Sequence, residues 1–249
     1  MDLFDLTGRR AIVTGAAQGL GYAIAQALVE KGAEVAIIDY SERVAESAAA
    51  LGPGAHPVRG NLMDRTERRA AFDRAVEALG GGLDILVNNA GIQRRGSMLD
   101  FDDGDWDSVL ELDLSAVFSL CKYAGALMVP QSYGKIINVA SINSFFGGTN
   151  APAYAAAKGA VVQLTKAVSN EWSRHHINAN CIAPGFMETS LTRDMVEDPE
   201  VYNFKLKRIP LGRWGRPEDL KGVVQFLAGH ASDYVCGVTI PVDGGYLGK

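Results

Sequence analysis

Three residues, Ser141, Tyr154 and Lys158, have the types and the spacing to move a proton to or from an alcohol oxygen. Tyr154 and Lys158 lie four residues apart in AYAAAKGAVVQLTKAV, whose apolar spacing predicts a helix with both side chains on one face. Ser141 ends the apolar stretch GKIINVAS, where its hydroxyl would hydrogen-bond the oxygen that is oxidised or reduced.

A tyrosine that accepts a proton at neutral pH needs a pKa about 2 to 3 below its ordinary value near 10, or roughly 3 to 4 kcal/mol. A lysine 4 Å away supplies about 1 kcal/mol in water and about 4 at an effective dielectric near 20. The pair therefore works only inside a cleft. The alternative is an ordinary surface pair, which is common at this spacing.

A strand, a glycine-rich turn and a helix open the chain, as RAIV, TGAAQGLG and YAIAQALVEKG, with Gly32 ending the helix. Gly15 would allow the tight turn, Gly19 would let the backbone approach a pyrophosphate, and Gly21 would let helix and strand pack closely. The helix N-terminus attracts phosphates. The turn thus supplies candidate dinucleotide contacts from Gly15, Gln18, Gly19, Leu20 and Gly21.

The second predicted strand ends at Asp39. A carboxylate there accepts hydrogen bonds from both ribose hydroxyls of NAD and repels the 2′-phosphate of NADP. Ala16, Ala17 and Tyr40 offer no positive charge for that phosphate, so NAD is the expected cofactor. A helix-capping role for Asp39 is the alternative.

Strands and helices alternate along the rest of the chain. A helix over 41–51 precedes a third strand that ends near Asn61 and Leu62, and Asp64 caps the next helix. In LDILVNNAG, Asn88 and Asn89 are expected to leave the sheet at its carboxyl edge, where such sheets place ligands. A helix over 105–128, the strand GKIINVAS, the tyrosine–lysine helix, the strand INANCIAP, a last helix RPEDLKGVVQFLAG and a last strand VTIPVDGGY follow.

This alternation predicts one α/β domain over residues 1–249, a doubly wound parallel sheet with helices on both faces. Residues 186–216 break the pattern with short helical pieces and turns. Because a long irregular segment beyond a strand's carboxyl end is usually functional, we expect a substrate lid there. A packing excursion is the alternative.

The composition excludes several classes of function. A net charge of −5 without runs of like charge argues against nucleic acid or an anionic membrane as partner. Cys121, Cys181 and Cys236 are isolated in apolar sequence, as expected of reduced core thiols. The four histidines are scattered, so no metal is expected. Without a leader-like start or an uncharged apolar stretch near eighteen residues, a soluble cytoplasmic protein is expected.

These motifs, in this order and at these spacings, resemble the short-chain dehydrogenase/reductase family along nearly the whole chain: TGAAQGLG, Asp39, NNAG, Ser141 with Tyr154-x-x-x-Lys158, IAPG, RWGRPEDL and VDGG. The resemblance implies a Rossmann-like fold and, commonly, a homotetramer. It implies that Tyr154 is the acid/base, that Lys158 lowers its pKa and holds the nicotinamide ribose, and that Ser141 positions the substrate oxygen. It also implies cofactor contacts from Asn61, Leu62, Asn89, Ala90, Gly91, Pro184, Gly185, Met187 and Thr189.

Two residues depart from the family pattern. Asn61 stands where the family usually has an aspartate that reads adenine; it still accepts one hydrogen bond and adds a donor, so the change should be tolerated. Asp113 stands where the family usually has an asparagine whose main-chain carbonyl holds a water of the proton relay. The carbonyl survives, but a carboxylate near Lys158 would oppose ionisation of Tyr154. We expect a working enzyme whose pH optimum is shifted to alkaline pH.

The nearest subgroup resemblance is to the 2-dehydro-3-deoxy-D-gluconate 5-dehydrogenases and gluconate 5-dehydrogenases, through NNAGIQRR, NEWSRHHINANCIAPG and RIPLGRWGRPEDL. Arg94 and Arg95 could grip the carboxylate of a sugar acid, or they could pair with acids at 100, 102 and 103 or with another subunit. Asn143 could bind a sugar hydroxyl, as could any polar turn residue.

The predicted activity is NAD-dependent oxidation of a secondary alcohol on a hexonate-type sugar acid, a reaction of carbohydrate metabolism. One alternative keeps the chemistry with a neutral polyol, a steroid-like alcohol or a 3-oxoacyl thioester as substrate. A dinucleotide-binding scaffold or sensor without turnover is an alternative of another class, which only Asp113 favours.

Overall fold

One parallel sheet organises the chain, and the computed structural model describes residues 2–248 of it. Its strands are β1 (Arg10–Thr14), β2 (Glu34–Asp39), β3 (Ala55–Arg59), β4 (Ile85–Asn88), β5 (Gly134–Val139), β6 (Ile177–Pro184) and β7 (Thr239–Val242). The spatial order is β3-β2-β1-β4-β5-β6-β7, and every neighbouring pair is parallel. All residues of β4, β5 and β6 are buried, as expected of strands covered on both faces.

The helices are α1 (Gly19–Val29), α2 (Val44–Leu51), α3 (Arg65–Ala78), α4 (Asp103–Leu110), α5 (Ala116–Gln131), α6 (Pro152–Trp172), α7 (Arg193–Glu197), α8 (Pro199–Leu206) and α9 (Lys221–Ala228). Two hydrophobic clusters lie on opposite faces of the sheet. Ile12 belongs to the cluster under α3, α5 and α6, whereas its neighbour Val13 belongs to the cluster under α1, α2 and α9. This alternation follows from the two-residue period of a strand, and it confirms the predicted Rossmann-like, doubly wound architecture.

Most predicted elements are present, with shifted boundaries. Helix α1 ends at Val29, although Gly32 does take the left-handed conformation at φ +91°. Helix α2 begins at Val44 instead of position 41, because Ser41 forms a turn in which its hydroxyl accepts from Arg43 N. The third strand ends at Arg59, two residues before the predicted position. The predicted cap of α3 is confirmed, since the Asp64 carboxylate accepts from Glu67 N at 2.8 Å.

The long helix predicted over 105–128 contains an irregularity. Helices α4 and α5 are joined by a π-helical turn, Glu111–Ser115, so that one helical rod runs from Asp103 to Gln131. Turns of this type are frequent at functional sites. This turn contains Asp113, whose side chain is fully buried.

The rod Asp103–Gln131 is also the one helix in the described part of the chain that is long and apolar enough to span a membrane, judged by length and composition alone. Core helices of folded proteins meet the same criterion. Its inner face packs on the sheet through Val117, Leu120 and Ala124, while Phe118 on the opposite side is half exposed.

The cysteines differ in burial. Cys121 and Cys181 are buried free thiols, and burial raises the pKa of Cys121 to about 12. The expectation that all three are core thiols is wrong for Cys236, which is exposed because it lies in the loop before β7. Between residues 2 and 248 no cluster of three metal-ligating side chains occurs.

Candidate active site

Ser141 lies two residues after the end of β5, and its side chain is buried. Its hydroxyl accepts a hydrogen bond from Asn143 N at 3.1 Å, within a short 3₁₀ turn. Ser144 ends this turn and donates from its hydroxyl to the main-chain oxygen of Lys158 at 2.7 Å. The serine loop is therefore fastened directly to the helix that carries the other two catalytic candidates.

Tyr154 and Lys158 lie one turn apart on α6, as predicted, and the helix begins with Pro152 at its first position. Lys158 is buried, with its ammonium 5.5 Å from the centre of the Tyr154 ring. The ammonium also donates to the main-chain oxygen of Val139, the last residue of β5, at 3.0 Å. The Tyr154–Lys158 pair thus lies against the sheet edge beside Ser141, and the surface-pair alternative does not hold.

Asp113 extends this group. Its carboxylate accepts from Ile92 N at 2.8 Å, and its second oxygen lies 3.2 Å from Lys158 Nζ. Gly91 gives the carboxylate room, because a Cβ at that position would lie 2.7 Å from it. The π-helical turn therefore places a charged side chain, and not only a carbonyl, next to Lys158.

The electrostatics of Tyr154 differ from the expectation. Burial raises the pKa of the Tyr154 phenol, Asp113 raises it further, and the attraction of Lys158 and a hydrogen bond with Ser141 only partly oppose them. Lys158 does lower the pKa of Tyr154, as the resemblance implies, but burial outweighs this attraction, so the net shift of the pKa is upward.

Lys158 and Asp113 each favour the charged form of the other, whereas burial opposes both charges. Burial opposes the charge of Lys158, but the charges of Asp113 and Tyr154 leave the pKa of Lys158 above its usual value. Burial also raises the pKa of Asp113, against the opposing effects of Lys158 and the Ile92 amide. The ion pair with Asp113 therefore favours the charged form of Lys158.

The glycine-rich turn is shaped by contacts that exclude side chains. Gly15 has φ +63°, and a Cβ there would lie 2.8 Å from Ala90 Cα. At Gly21 a Cβ would lie 2.2 Å from the oxygen of Gly15, which confirms close packing of helix on strand. A Cβ at Gly19 would meet nothing within 4 Å. Gly19 thus leaves open space at the N-terminus of α1, beside Gln18 and Leu20, where an anion would fit.

Asn89 braces the turn from the neighbouring strand. Its amide donates to the main-chain oxygens of Thr14 at 2.9 Å and Gly15 at 3.0 Å. The Thr14 hydroxyl in turn accepts from the backbone amides of Asn89 and Ala90, both at 3.0 Å. Asn88 was expected to leave the sheet together with Asn89. It is instead the buried last residue of β4, because its amide donates to the buried side chain of Asn138.

Asp39 lies at the carboxyl end of β2 and is almost fully buried. One of its oxygens accepts from Ala17 N and the other from Ser41 N, both at 3.0 Å. The carboxylate therefore does cap two backbone amides, and it lies beside the glycine-rich turn. Further along this edge, Asn61 is exposed and accepts from Met63 N, while Leu62 is buried.

Residues 186–216 form a loop that is closed at its base, where Met187 pairs with Gly215 in a short bridge. Pro184 and Gly185 precede it at the end of β6, and Thr189 starts a 3₁₀ turn that leads to α7 and α8. The loop touches the glycine-rich turn, since Gln18 donates to the Ser190 hydroxyl at 3.3 Å.

The candidate substrate residues are only partly brought together. Arg94 pairs with Asp105 at 3.1 Å, an acid that was not among the expected partners. Arg95 contacts only the side chain of Gln93, at 3.0 Å. Asn143 lies beside Ser141 in the serine loop. Of the two arginines, Arg95 is thus the one without a carboxylate partner in residues 2–248.

This edge of the sheet is also positioned by Asn138 and Thr165, which the sequence patterns did not indicate. Asn138 in β5 accepts from Asn88 and donates to Thr165 of α6, both at 2.8 Å, which links two strands to the helix of Tyr154 and Lys158. A polar residue inside the apolar run GKIINVAS is the signal that could have identified Asn138.

The chain is similar to known proteins over nearly its full length. A family model described as enoyl-(acyl carrier protein) reductase matches residues 15–247. The 2-dehydro-3-deoxy-D-gluconate 5-dehydrogenase of Dickeya dadantii is 41% identical, covering 100% of this chain and 99% of its own. The gluconate 5-dehydrogenase of Gluconobacter oxydans is 40% identical, covering 98% and 96%.

A solved structure is similar over the same length. The gluconate 5-dehydrogenase from Burkholderia cenocepacia, in complex with NADP and tartrate, superposes with a TM-score of 0.95 at 40% identity and covers 100% of this chain and 98% of its own. Full-length relatives at this identity share the fold and the class of reaction. The chain therefore belongs to the short-chain dehydrogenase/reductase family of oxidoreductases.

Proposed function

We propose that the protein oxidises a secondary alcohol of a sugar acid with NAD, as a dehydrogenase of the 2-dehydro-3-deoxy-D-gluconate 5-dehydrogenase type. The observation that carries the proposal is the fastening of Ser141 to the helix of Tyr154 and Lys158 through Ser144. The full-length similarity to sugar-acid dehydrogenases supports the substrate class.

In this proposal the hydroxyl of Ser141 holds the substrate oxygen, and Tyr154 takes the hydroxyl proton. Lys158, with its buried positive charge, stabilises the phenolate form of Tyr154, which accepts this proton and becomes the neutral phenol. A nicotinamide bound at this site would supply the acceptor for the hydride on the carbon that bears this hydroxyl. In the reverse direction Tyr154 returns the proton to the ketone oxygen.

The residues at the sheet edge fit a dinucleotide. The open space at Gly19 and the N-terminus of α1 suit the pyrophosphate, with Gly15, Gln18, Leu20 and Gly21 shaping the turn. Asp39 suits the ribose hydroxyls of NAD. The remaining proposed contacts are Asn61, Leu62, Asn89, Ala90, Gly91, Pro184, Gly185, Met187 and Thr189.

NADP is the second candidate cofactor, and one observation favours it. The guanidinium of the exposed Arg43 donates to the Gln18 side chain at 3.4 Å, and Gln18 follows Ala17, whose amide donates to Asp39. A cation there could offset the repulsion between Asp39 and a 2′-phosphate. The relative from Burkholderia cenocepacia was solved with NADP.

A charged substrate is favoured over the alternatives. The Burkholderia relative holds tartrate, a hydroxy acid, and Arg95 has no carboxylate partner in the described chain. Gluconate remains an alternative substrate within this class, whereas a neutral polyol or a 3-oxoacyl thioester would leave the arginine unused. A scaffold without turnover gains no support, since Asp113 forms an ion pair with Lys158 and thereby favours the charged form of that lysine beside Tyr154.

We further propose that residues 186–216 cover the substrate, since this loop is closed at its base and touches the glycine-rich turn. A homotetramer is the assembly that the family resemblance implies, and the half-exposed Phe118 on α5 supports burial against a second copy. The cytoplasm is its proposed location. Light scattering after size-exclusion chromatography gives the subunit count directly. A monomeric mass would contradict the tetramer.

The proposed activity is tested by NADH formation with the purified protein. The substrates are D-gluconate, 2-dehydro-3-deoxy-D-gluconate and the neutral polyol with the skeleton of gluconate, D-glucitol. We expect turnover of at least one of the two acids and a much higher KM for the polyol. Turnover of the polyol alone would contradict the sugar-acid proposal.

A further inference from the structure

Four aromatic side chains, Phe186, Tyr202, Trp214 and Tyr246, form one packed group, called here the aromatic cluster. Phe186 lies between Trp214 and Tyr246, with ring centres 5.4 and 5.2 Å away, and Tyr202 stacks on Trp214 at 5.1 Å. Trp214 and Tyr246 are nearly fully buried. The aromatic cluster is therefore a packed group whose central rings are shielded from solvent.

The aromatic cluster adjoins the catalytic loop. Its hydrophobic surroundings include Ile142, the residue that follows Ser141, and Phe186 itself directly follows Pro184 and Gly185 at the end of β6. The chain near Tyr246 is also anchored, because Leu211 N donates to the main-chain oxygen of Gly244 at 3.0 Å. Groups that pack against the aromatic cluster thus lie at the same edge of the sheet as Ser141.

Two cations pack against the aromatic cluster. The ammonium of Lys205, in α8, lies 5.1 Å from the centre of the Phe186 ring, and the guanidinium of Arg208 lies 4.5 Å from the centre of the Tyr246 ring. Aromatic faces stabilise and orient such cations. Lys205 is half-buried in this position.

These cations have no anion to neutralise them. In residues 2–248 neither Lys205, Arg208 nor Arg95 makes an ion pair with a carboxylate, whereas Arg94 and Arg213 each do. Burial lowers the pKa of Lys205, and the positive charges of Arg208 and Arg95 lower it further. Arg95 comes from the loop after β4, so a second segment of the chain adds positive charge at Lys205.

Holding like charges together costs free energy unless an anion binds between them. We propose that Lys205 and Arg208, with Arg95, bind the carboxylate of the sugar-acid substrate. This assignment rests on the proposed function, and it moves the main carboxylate contacts from Arg94 to the loop over 186–216. A carboxylate bound at Lys205 and Arg208 would also hold that loop over the substrate.

The test compares Lys205→Gln and Arg208→Gln with Lys207→Gln, which removes the same charge from an exposed neighbour. Steady-state rates are measured with D-gluconate and 2-dehydro-3-deoxy-D-gluconate, and with D-glucitol, at saturating cofactor. Because each lost charged hydrogen bond weakens binding by about 10- to 100-fold, KM for the acids should rise by that factor. The KM for D-glucitol, the KM for NAD and the kcat values should change by less than about 3-fold, as should all values for Lys207→Gln.

Titration calorimetry with D-gluconate at saturating dinucleotide supplies a second measurement, in which both variants should lose affinity by the same factor. An unchanged KM and an unchanged affinity for the acids in both variants would overturn the assignment and leave the proposed function intact. An equal rise of KM for acids and polyol would overturn it too, because the cations would then only support the loop. A wild type active on D-glucitol alone would refute the proposed function itself.

Discussion

The ammonium of Lys158 and the carboxylate of Asp113 form a buried ion pair at 3.2 Å directly behind Tyr154. The pair fixes Lys158 as a cation, and the carboxylate also raises the pKa of Tyr154. Asp113 therefore acts on Tyr154, the proposed acid/base, in two ways. It favours the charged form of Lys158, and its own negative charge raises the pKa of Tyr154.

Replacing Asp113 with asparagine should shift the acidic limb of the pH–rate profile to lower pH. The carboxylate raises the pKa of Tyr154, so its removal lowers that pKa, and the proton-accepting form of Tyr154 becomes available at lower pH. The measurement is kcat/KM for the alcohol between pH 6 and 10. Asp107→Asn, an exposed site on the same helical rod, serves as the control and should leave the limb unmoved. An unmoved limb in Asp113→Asn would refute the coupling.

Replacing Asp39 with asparagine should shift cofactor preference toward NADP. The negative charge beside the glycine-rich turn disappears, while one acceptor oxygen for the backbone amides remains. We expect the ratio of kcat/KM for NAD over NADP to fall by about 10- to 100-fold, as for the loss of one charged contact. Glu42→Gln removes an exposed charge nearby and should leave the ratio unchanged. A wild-type enzyme that prefers NADP would contradict the role given to Asp39.

Replacing Gly21 with alanine should destabilise the protein, because the new Cβ would lie 2.2 Å from the oxygen of Gly15. Such overpacking costs about 1 to 3 kcal/mol, or roughly 3 to 10 °C in Tm for a chain of this size. Gly222→Ala in α9 is the matched control, since its Cβ would meet nothing within 4 Å and alanine favours a helix by up to about 1 kcal/mol. Equal Tm values for the two variants would show that the close packing of α1 on β1 is not needed.

Asp219 should stabilise the protein in a pH-dependent way. It accepts both guanidinium N–H groups of Arg213, at 2.7 and 2.8 Å, and this hydrogen bonding lowers the pKa of the carboxyl to about 2. Because the folded pKa lies below the unfolded one, the stabilisation is complete above about pH 4 and is lost as the pH falls toward 2. Both side chains are partly exposed, so we expect only about 1 kcal/mol.

Urea unfolding of the wild type and Asp219→Asn at pH 7 and pH 3 checks this. The difference in the free energy of unfolding between wild type and variant should be about half as large at pH 3 as at pH 7, because about half of the stabilisation from the lowered pKa is lost there. Asp100→Asn, at an exposed loop position, should show no difference at either pH. A difference in Asp219→Asn that does not change with pH would contradict the ionic origin.

The parts of the fold that depend on local pattern could be predicted from the sequence. The strand, glycine turn and helix at 10–29 follow from apolar period and glycine spacing, and so does the pairing of Tyr154 with Lys158 on α6. Asp113 was singled out because it replaces an amide with a charge. Its neighbourhood with Lys158 was expected as well, and the ion pair bears this out.

Other features depend on contacts between distant segments, which a periodicity does not contain. The pKa of Tyr154 is raised mainly by burial in the folded cleft. Arg94 pairs with Asp105, which lies eleven residues further along the chain in the first turn of α4. The π-helical turn within the long helix interrupts a regular apolar pattern without a proline or glycine to mark it. The placement of Lys205 and Arg208 over aromatic rings requires three chain segments to meet.

The most direct measurement is the oxidation rate of the preferred sugar acid by Tyr154→Phe, together with its affinity for NAD. Phenylalanine keeps the ring beside Lys158 and removes the hydroxyl that takes the proton. Loss of general-base catalysis should lower kcat by about 10²- to 10⁴-fold while the Kd for NAD changes by less than about 3-fold. A variant that keeps a kcat within about 3-fold of the wild type would contradict the assignment of Tyr154 as the acid/base.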